Sequence, residues 1–456
     1  MGRKKKQRTP IELTVDRLEL KGSSGVDAQG RRWTVKGASI GASVTAWPGR
    51  KGKARLLEIL TEPADSVDPT CPVFGVCGGC QLQRMPLAKQ REEKHKMVQR
   101  AAGDLHGITI HDIRGGAAGY GYRNKLELSF GPRRFLPEDQ KDDPDAVREG
   151  SFLGFHPRGW FSRIVPLERC PLGSDAMNQV IALVSKAELS PPWDNDNHTG
   201  VWRHLVVREG ASGTVAILVT SSAADPDEVR SIGARLGALE PVVGVLWVVT
   251  DRLSDVAVGD LAEVLYGQPW LDMTVGELAL RLPYDGFFQV NTPTTQILFD
   301  TIAEALGMPE TPTGTLLDLY CGVGAIGLYL ASRFERVLGI ELNPASIDCA
   351  RDNAARQQVA GEWHAGKVED LLPRLAPMDP KWIVVDPPRA GLHPAAARFL
   401  AAQSAESLVY VACNPGSLGR DREILEAGRW KMTDLWSVDL FPQTPHTEAV
   451  ARFVLR

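Results

Sequence analysis

At 456 residues and 43% hydrophobic composition, the chain has room for about three domains with cores of their own, which excludes a disordered protein. No apolar run is long enough to span a membrane, and the basic residues 1–8 have no apolar stretch behind them; a signal peptide and a spanning helix are excluded, and the cytoplasm is the expected compartment. The net charge of −4 conceals a polarity: residues 1–62 carry 14 Lys and Arg against 6 Asp and Glu, so the first module is +8 and the remainder −12, which points to a polyanionic partner.

In chain order, residues 11–15, 32–35, 43–47 and 54–60 read as short strands with period-two alternation, and Gly22-Ser23-Ser24-Gly25 reads as a turn. Even spacing and glycine turns predict a small antiparallel barrel over residues 1–64, of the oligonucleotide-binding type, although spacing does not separate it from an SH3-like barrel.

The next segment, 65–268, opens with Cys71, Cys77 and Cys80, at spacings of six and three. In a reducing compartment these are metal ligands rather than disulfide partners. Cys170, in Glu168-Arg169-Cys170-Pro171, is the best fourth ligand, because Cys321 and Cys349 fall in the later region. Four thiolates fit a 4Fe-4S cluster or zinc. Zinc sites usually pair two short Cys-x-x-Cys knuckles, so three clustered cysteines and a distant one favour iron-sulfur. The Cys71 to Cys77 interval is too wide for radical chemistry on S-adenosylmethionine, which leaves a structural or RNA-contacting cluster. A charged helix is expected over 87–102, and residues 112–265 alternate strand-like and turn-like pieces, an α+β pattern. Within them, Tyr120-Gly121-Tyr122-Arg123-Asn124-Lys125 combines aromatic and cationic residues suited to base stacking and phosphate contact. Residues 137–148 read as a loop.

From about 270 onward strands and helices alternate, the signature of a doubly wound parallel sheet over 269–456. Three apolar runs end in chemistry: 315–319, containing Asp318, runs into Tyr320, Cys321, Gly322 and Gly324; 382–385 ends in Asp386-Pro387-Pro388-Arg389; and 409–412 stops at Cys413, before a tight Asn414-Pro415-Gly416 turn and a loop. Three such ends imply one shared crevice at the carboxyl edge of the sheet. Gly322 and Gly324 allow close backbone approach to a ligand, a helix is expected over 325–334, and the strand 337–341 ends in Glu341 where a ribose would present its hydroxyls. Gly322, Gly324 and Gly327 also complete a dinucleotide fingerprint, but Asp318 would repel a pyrophosphate. S-adenosylmethionine, with an amine and a sulfonium and no phosphate, suits these acids better.

Taken together, these motifs resemble the uracil-C5 RNA methyltransferases of the RumA and TrmA type over nearly the whole chain, with a TRAM-like barrel in front. The resemblance rests on Cys71, Cys77, Cys80 and Cys170, on Phe287-Phe288-Gln289-Val290-Asn291, on Asp318 to Gly322, on Asp386-Pro387-Pro388-Arg389, on Cys413-Asn414-Pro415 and on His446-Thr447-Glu448. It implies a 4Fe-4S cluster on the four cysteines and S-adenosylmethionine contacts from Gln289, Tyr320, Glu341 and Asp386. It further implies a nucleophile at Cys413 and a base at Glu448. Two positions depart from the family: Ala412, where Ser is frequent, and Ala325, where Asn is usual.

The chemistry accounts for those residue types. Uracil C5 is a poor nucleophile until a thiolate adds to C6, and the adduct then carries an extra C5 proton that a carboxylate must remove. Asp386 would orient the pyrimidine edge or the methyl donor. The target base must be flipped out of folded RNA, and Gln289 with Phe287 or Phe288 would line or fill the gap. The rivals are an exocyclic-amine or cytosine-C5 methyltransferase and a non-catalytic RNA-binding iron-sulfur protein on the same scaffold; amine methylation needs no nucleophile, and intact Cys413, Glu448 and Asp318 oppose the last. By family analogy the expected substrate is 23S ribosomal RNA ahead of transfer RNA, acted on by a monomer.

Overall fold

A computed structural model describes residues 9–137, 140–375 and 379–456; the basic tail 1–8 and two residues of the 137–148 loop lie outside them. Alternating burial in β1 (Ile11–Glu19) turns Leu13 and Val15 inward, and Trp33, Val35, Val44 and Ala46 meet them from β3 (Arg32–Val35) and β4 (Ser43–Pro48). With β2 (Gly22–Val26) and β5 (Lys53–Thr61) these strands close a barrel in the order β1-β2-β3-β5-β4.

Two details differ from the sequence reading. Gly22 to Gly25 is strand rather than turn: Ser23 Oγ donates to Ala38 O at 2.7 Å, and a Cβ at Gly25 would stand 2.5 Å from Thr14 O. Small residues are needed there because β1 bulges against them. The barrel is also not wholly antiparallel, since β3 and β5 pair in parallel.

Next come α1 (Leu87–Ala102) and β6 (Thr109–Ile110), which leave the barrel for the C-terminal sheet: α1 packs on its last helix, and β6 pairs with one of its late strands. The central sheet is built from β7 (Lys125–Arg133), β8 (Glu149–Phe155), β9 (Val165–Pro166), β10 (Trp202–Gly210), β11 (Gly213–Thr220), β12 (Val242–Val249) and β13 (Asp260–Gly267). Its order is β13-β12-β11-β10-β7-β8-β9. The parallel pair β11 and β12 is joined by α3 (Pro226–Gly237), which packs with α2 (Asp175–Ser185) over the core around Trp202 and Leu205. A hairpin, β14 (Trp270–Val275) and β15 (Leu278–Pro283), leads into α4 (Thr292–Leu306).

The C-terminal unit alternates strictly at first: β16 (Thr315–Leu319), α5 (Ala325–Leu330), β17 (Arg336–Glu341), α6 (Pro344–Arg356), β18 (Gly361–Ala365), α7 (Val368–Leu375), β19 (Trp382–Val385), α8 (Pro394–Ala402), β20 (Ser407–Ala412) and α9 (Pro415–Ala427). Two antiparallel strands follow, β21 (Trp430–Val438) and β22 (Glu448–Leu455), and the sheet order is β18-β17-β16-β19-β20-β22-β21-β6. Here β22 runs against its neighbours, antiparallel to both β20 and β21, while β6 lies parallel to β21, a correction to the all-parallel expectation. The chain winds outward from β16 to β18 and returns on the other side through β19, so the switch point opens between β16 and β19, at the edge where ligands bind in such sheets.

The helix expected over 325–334 ends at Leu330 and continues as a single 3-10 turn, Ala331–Arg333, because Phe334 turns extended to pack 5.3 Å from the Trp382 ring. Asn414-Pro415 starts a helix rather than a loop. Asn414 Oδ1 accepts the Gly416 N–H at 3.3 Å and Pro415 occupies the first helical turn, so one dipeptide both stops β20 after Ala412 and launches α9.

Close packing supports the glycine corner from below. A Cβ on Gly339 in β17 would stand 2.2 Å from the Trp363 ring and 2.9 Å from Cys321 Sγ. Gly339→Ala is therefore expected to cost about 1–3 kcal/mol of stability by overpacking, read as a lower thermal midpoint; an unchanged midpoint would contradict this packing. Among the described residues no helix is long and apolar enough to cross a membrane.

Candidate active site

Four strand ends converge at the carboxyl edge of the C-terminal sheet. On β16, Asp318 is fully buried; its Oδ2 accepts the Gly327 N–H at 2.9 Å, whereas Oδ1 has no partner among the described residues. Burial pushes this carboxyl up to about 7. Beyond β16 the backbone turns left-handed at Tyr320 (φ 64°), Gly322 (55°) and Gly324 (80°), and a Cβ at Gly324 would stand 2.9 Å from Trp363. That bend brings Gly322 N–H within 3.3 Å of Glu341 Oε2 at the end of β17, while Glu341 Oε1 accepts the Asn343 N–H at 2.9 Å. Asp318, Tyr320, Gly322 and Glu341 thus share one corner. Ala325, the first residue of α5, adjoins it with no polar side chain to offer.

Asp386 follows β19, anchored by its N–H to Leu319 O at 3.2 Å, and burial raises its carboxyl to about 7. Cys413 follows β20. Because β22 lies antiparallel beside β20 with Ala412 opposite Ala449, the next step in register sets Cys413 beside Glu448. Glu448 is 1% exposed, and its Oε2 lacks a hydrogen-bond partner among the described residues. Burial first, and then the Asp386 charge, hold its carboxyl well above the ordinary range, with Arg389 opposing. The Cys413 thiol is pushed up to about 11 by burial and by Glu448 and Asp386, while Arg389 counteracts as a charge and as a hydrogen-bond donor. Cys413, Asp386, Glu448 and Arg389 form one electrostatic unit.

Gln289 lies just ahead of α4, where its carbonyl accepts Asn124 Nδ2 at 2.8 Å; two residues on, Asn291 caps α4 and donates from Nδ2 to Leu440 O at 3.1 Å. The segment is thereby tied to the chain preceding Glu448. Of the two aromatics beside Gln289, Phe287 is 71% exposed and available, whereas Phe288 belongs to the core. A cavity of about 330 Å3 flanks this segment, bordered by Arg123, Asn124, Glu209 and Thr292; its lining includes none of Asp318, Asp386, Cys413 and Glu448.

The four cysteines Cys71, Cys77, Cys80 and Cys170 are half-buried and free of disulfides. They lie close enough to act on one another: after burial, the other thiols help raise Cys77 to about 11 and Cys80 to about 12, and Cys71 raises Cys170. Backbone N–H groups from Val73, Phe74, Leu172 and Gly173 point at Cys71 and Cys170 and favour their thiolates. Among the described residues no three Cys, His, Asp or Glu side chains are drawn together tightly enough to ligate one metal ion. As a donor set, four thiols suit a 4Fe-4S cluster or a structural zinc ion.

Two of the six residues at 120–125 are structural. Tyr122 is buried with its hydroxyl donating to Pro442 O at 2.8 Å, and Asn124 is buried against Gln289 and Thr292. Arg123 stays half-buried, its Nε without a partner among the described residues. Sequence reasoning quoted Arg389 inside a motif without assigning it a role; the signal was its position three residues beyond Asp386. It missed altogether the buried pair of Lys94 and Asp439, which are 345 residues apart and carry no local signature.

A sequence profile described as tRNA (uracil-5-)-methyltransferase matches residues 267–362 and 373–454, the region holding every strand end described above. The uncharacterized RNA methyltransferase of Chlorobaculum tepidum is 32% identical over 97% of this chain and 96% of its own length, and that of Clostridium acetobutylicum 31% identical over 96% of each. Among solved structures, the Pyrococcus abyssi tRNA (uracil-54, C5)-methyltransferase, determined with S-adenosyl-L-homocysteine, shares the fold with a TM-score of 0.75 at 24% identity. The match covers 97% of this chain and all of that one. With relatives matched nearly end to end and the profile lying over the crevice, the chain belongs to the tRNA (uracil-5-)-methyltransferase family and is an S-adenosylmethionine-dependent RNA methyltransferase of the uracil-5 type.

Proposed function

We propose that the protein makes 5-methyluridine in RNA with Cys413 as nucleophile and Glu448 as base. The observation that supports this reading is the register of β20 and β22, which brings position 413 beside position 448 at the carboxyl end of β20, one strand beyond the switch point. Cys413 gives its proton to the Asp386 carboxylate and its sulfur bonds to uracil C6, while the C5–C6 π pair moves onto C5 and O4. C5 then takes a methyl group from the sulfonium donor, which leaves as a neutral thioether. Glu448 accepts the C5 proton, the C5–C6 double bond re-forms, and the C6–S bond breaks to release Cys413. Arg389 favours both the thiolate at the start and the carboxylate at the end. S-adenosylmethionine would supply the methyl group, and Gln289, Asp318, Tyr320, Gly322, Glu341 and Asp386 would hold it. Their acids suit its amine and sulfonium.

Residues 1–64 would grip RNA, 65–268 would carry the cluster and further RNA contacts, and 269–456 would perform the reaction, with α1 and β6 lending support to the catalytic sheet. Cys71, Cys77, Cys80 and Cys170 would hold a 4Fe-4S cluster, which gives that region a covalent framework. Anaerobically purified protein is expected to be brown, and Cys77→Ser or Cys170→Ser to bleach it; a colourless, zinc-containing protein would overturn the assignment.

For substrate, 23S ribosomal RNA is the first candidate, on family analogy. Transfer RNA is the second, favoured because the Pyrococcus abyssi transfer-RNA enzyme shares the architecture from end to end, so the front barrel does not discriminate. Mass spectrometry of both RNAs from cells lacking the gene tests this. Loss of one 5-methyluridine in 23S RNA supports the first reading, loss in transfer RNA the second, and no loss in either overturns both substrates and points to another RNA, another modification or a non-catalytic scaffold.

A further inference from the structure

Among the described residues nothing bonds to Glu448 Oε2 to fix the atom that would receive the C5 proton; the chain on either side must place it. One side is β22. The other is the connection 439–447 from β21, which folds back on itself through Thr444 Oγ1 to Phe441 O (2.9 Å) and Thr447 Oγ1 to Val438 O (3.0 Å).

That connection is held residue by residue from remote parts of the chain. Buried Asp439 pairs with buried Lys94 of α1, whose ammonium also donates to Phe441 O at 2.9 Å. Leu440 O is taken by Asn291 and Pro442 O by Tyr122. Gln443 is the hub. It sits at φ 69°, a conformation costly for a side-chain-bearing residue. Its N–H donates to Gln90 Oε1 at 2.8 Å and its Oε1 accepts Gln90 Nε2 at 2.9 Å. Its carbonyl accepts the N–H groups of Gln81 (2.8 Å) and Leu82 (3.0 Å), one and two residues beyond Cys80. Gln90 Nε2 closes the circuit by donating to Leu82 O and Met85 O at 3.1 and 2.8 Å.

We propose that Gln90 and Gln443 are positioning residues that couple order in the cysteine segment to the placement of Glu448. The strained backbone at 443 persists while these bonds are made. If residues 81–82 lose order, two donors leave the Gln443 carbonyl, the residue relaxes toward negative φ, and the chain entering Glu448 swings with it. The cysteine segment thereby conditions proton abstraction as well as RNA contact, an inference that rests on Glu448 being the base.

Gln90→Met in the full-length protein keeps the volume and removes every side-chain hydrogen bond. Its test is hydrogen exchange together with resolved kinetics on RNA transcripts. Amides of 440–447 are expected to exchange about tenfold faster, with β16 and β17 unchanged, and the protein–RNA adduct to resolve about tenfold more slowly while methyl transfer to it keeps its rate. Gln443→Gly, which tolerates the positive φ, is expected to act in the same direction more weakly and serves if Gln90→Met does not fold. Cys80→Ser should reproduce the faster exchange at 440–447. Unchanged exchange there in Cys80→Ser, or equal slowing of all steps in Gln90→Met, would overturn the coupling. If Glu448→Gln fails to accumulate adduct, the base assignment falls, while the exchange data still decide whether the two segments are coupled.

Discussion

Cys413→Ala is expected to abolish methylation, lowering turnover by at least about a thousandfold, while S-adenosylmethionine binds within about twofold of the native protein. The size follows from the chemistry: without sulfur on C6, C5 has no enolate character with which to attack a sulfonium, and no neighbouring group replaces that bond. The side chain is half-buried at the end of β20, so the truncation costs about 1 kcal/mol or less of stability, and the donor corner around Asp318 and Glu341 is untouched. Labelled-methyl incorporation and calorimetric donor binding check the two halves; turnover above about one percent would remove Cys413 from its role. In the native enzyme the thiol, pushed up to about 11, is protonated at neutral pH. Because its proton passes to Asp386, whose carboxyl is raised to about 7, the single-turnover rate of adduct formation should climb about tenfold per pH unit below about 7 and level off above it. A flat profile would mean that Arg389 and bound RNA bring the thiol below neutrality.

Glu448→Gln is expected to trap a covalent protein–RNA adduct that survives denaturing gels, with release slowed at least about a hundredfold. The amide retains the shape of the carboxyl but takes no proton from C5, so the reaction halts after methyl transfer with C6 still bonded to sulfur. A variant that turned over normally would remove Glu448 from the base role. The substitution also has a stability signature of defined sign. Burial and Asp386 hold the folded-state carboxyl well above the usual range. The folded protein therefore binds this proton more tightly than the unfolded chain, and the associated stability is lost as pH rises above the unfolded value of about 4.3. Glutamine has no such proton, so the variant should gain on the native protein in thermal midpoint between about pH 5 and 8; a gap that narrowed with rising pH would contradict the burial argument.

Much of the crevice was legible from sequence because its signals are local. An apolar run that stops at Asp386 or Cys413 is a buried strand meeting the sheet edge wherever the rest of the chain lies. Gly322 and Gly324 mark a backbone that must turn left-handed, whereas Asn414-Pro415, with the same local signal for a turn or a helix start, caps α9. Glycine and serine at 22–25 misled for the opposite reason: turn propensity is also local, and the closed barrel overrode it by requiring small residues where β1 bulges.

The sequence by itself determined the alternation of the C-terminal sheet and the identity of the groups at its strand ends, since each is written within a few residues. Only the tertiary structure decided that β22 inserts between β20 and β21, which brings Glu448 to Cys413. It also decided that Lys94 and Gln90 of an early helix hold the connection before Glu448. Strand order and buried ion pairs depend on which distant surfaces exclude water together, and no short stretch of chain encodes that.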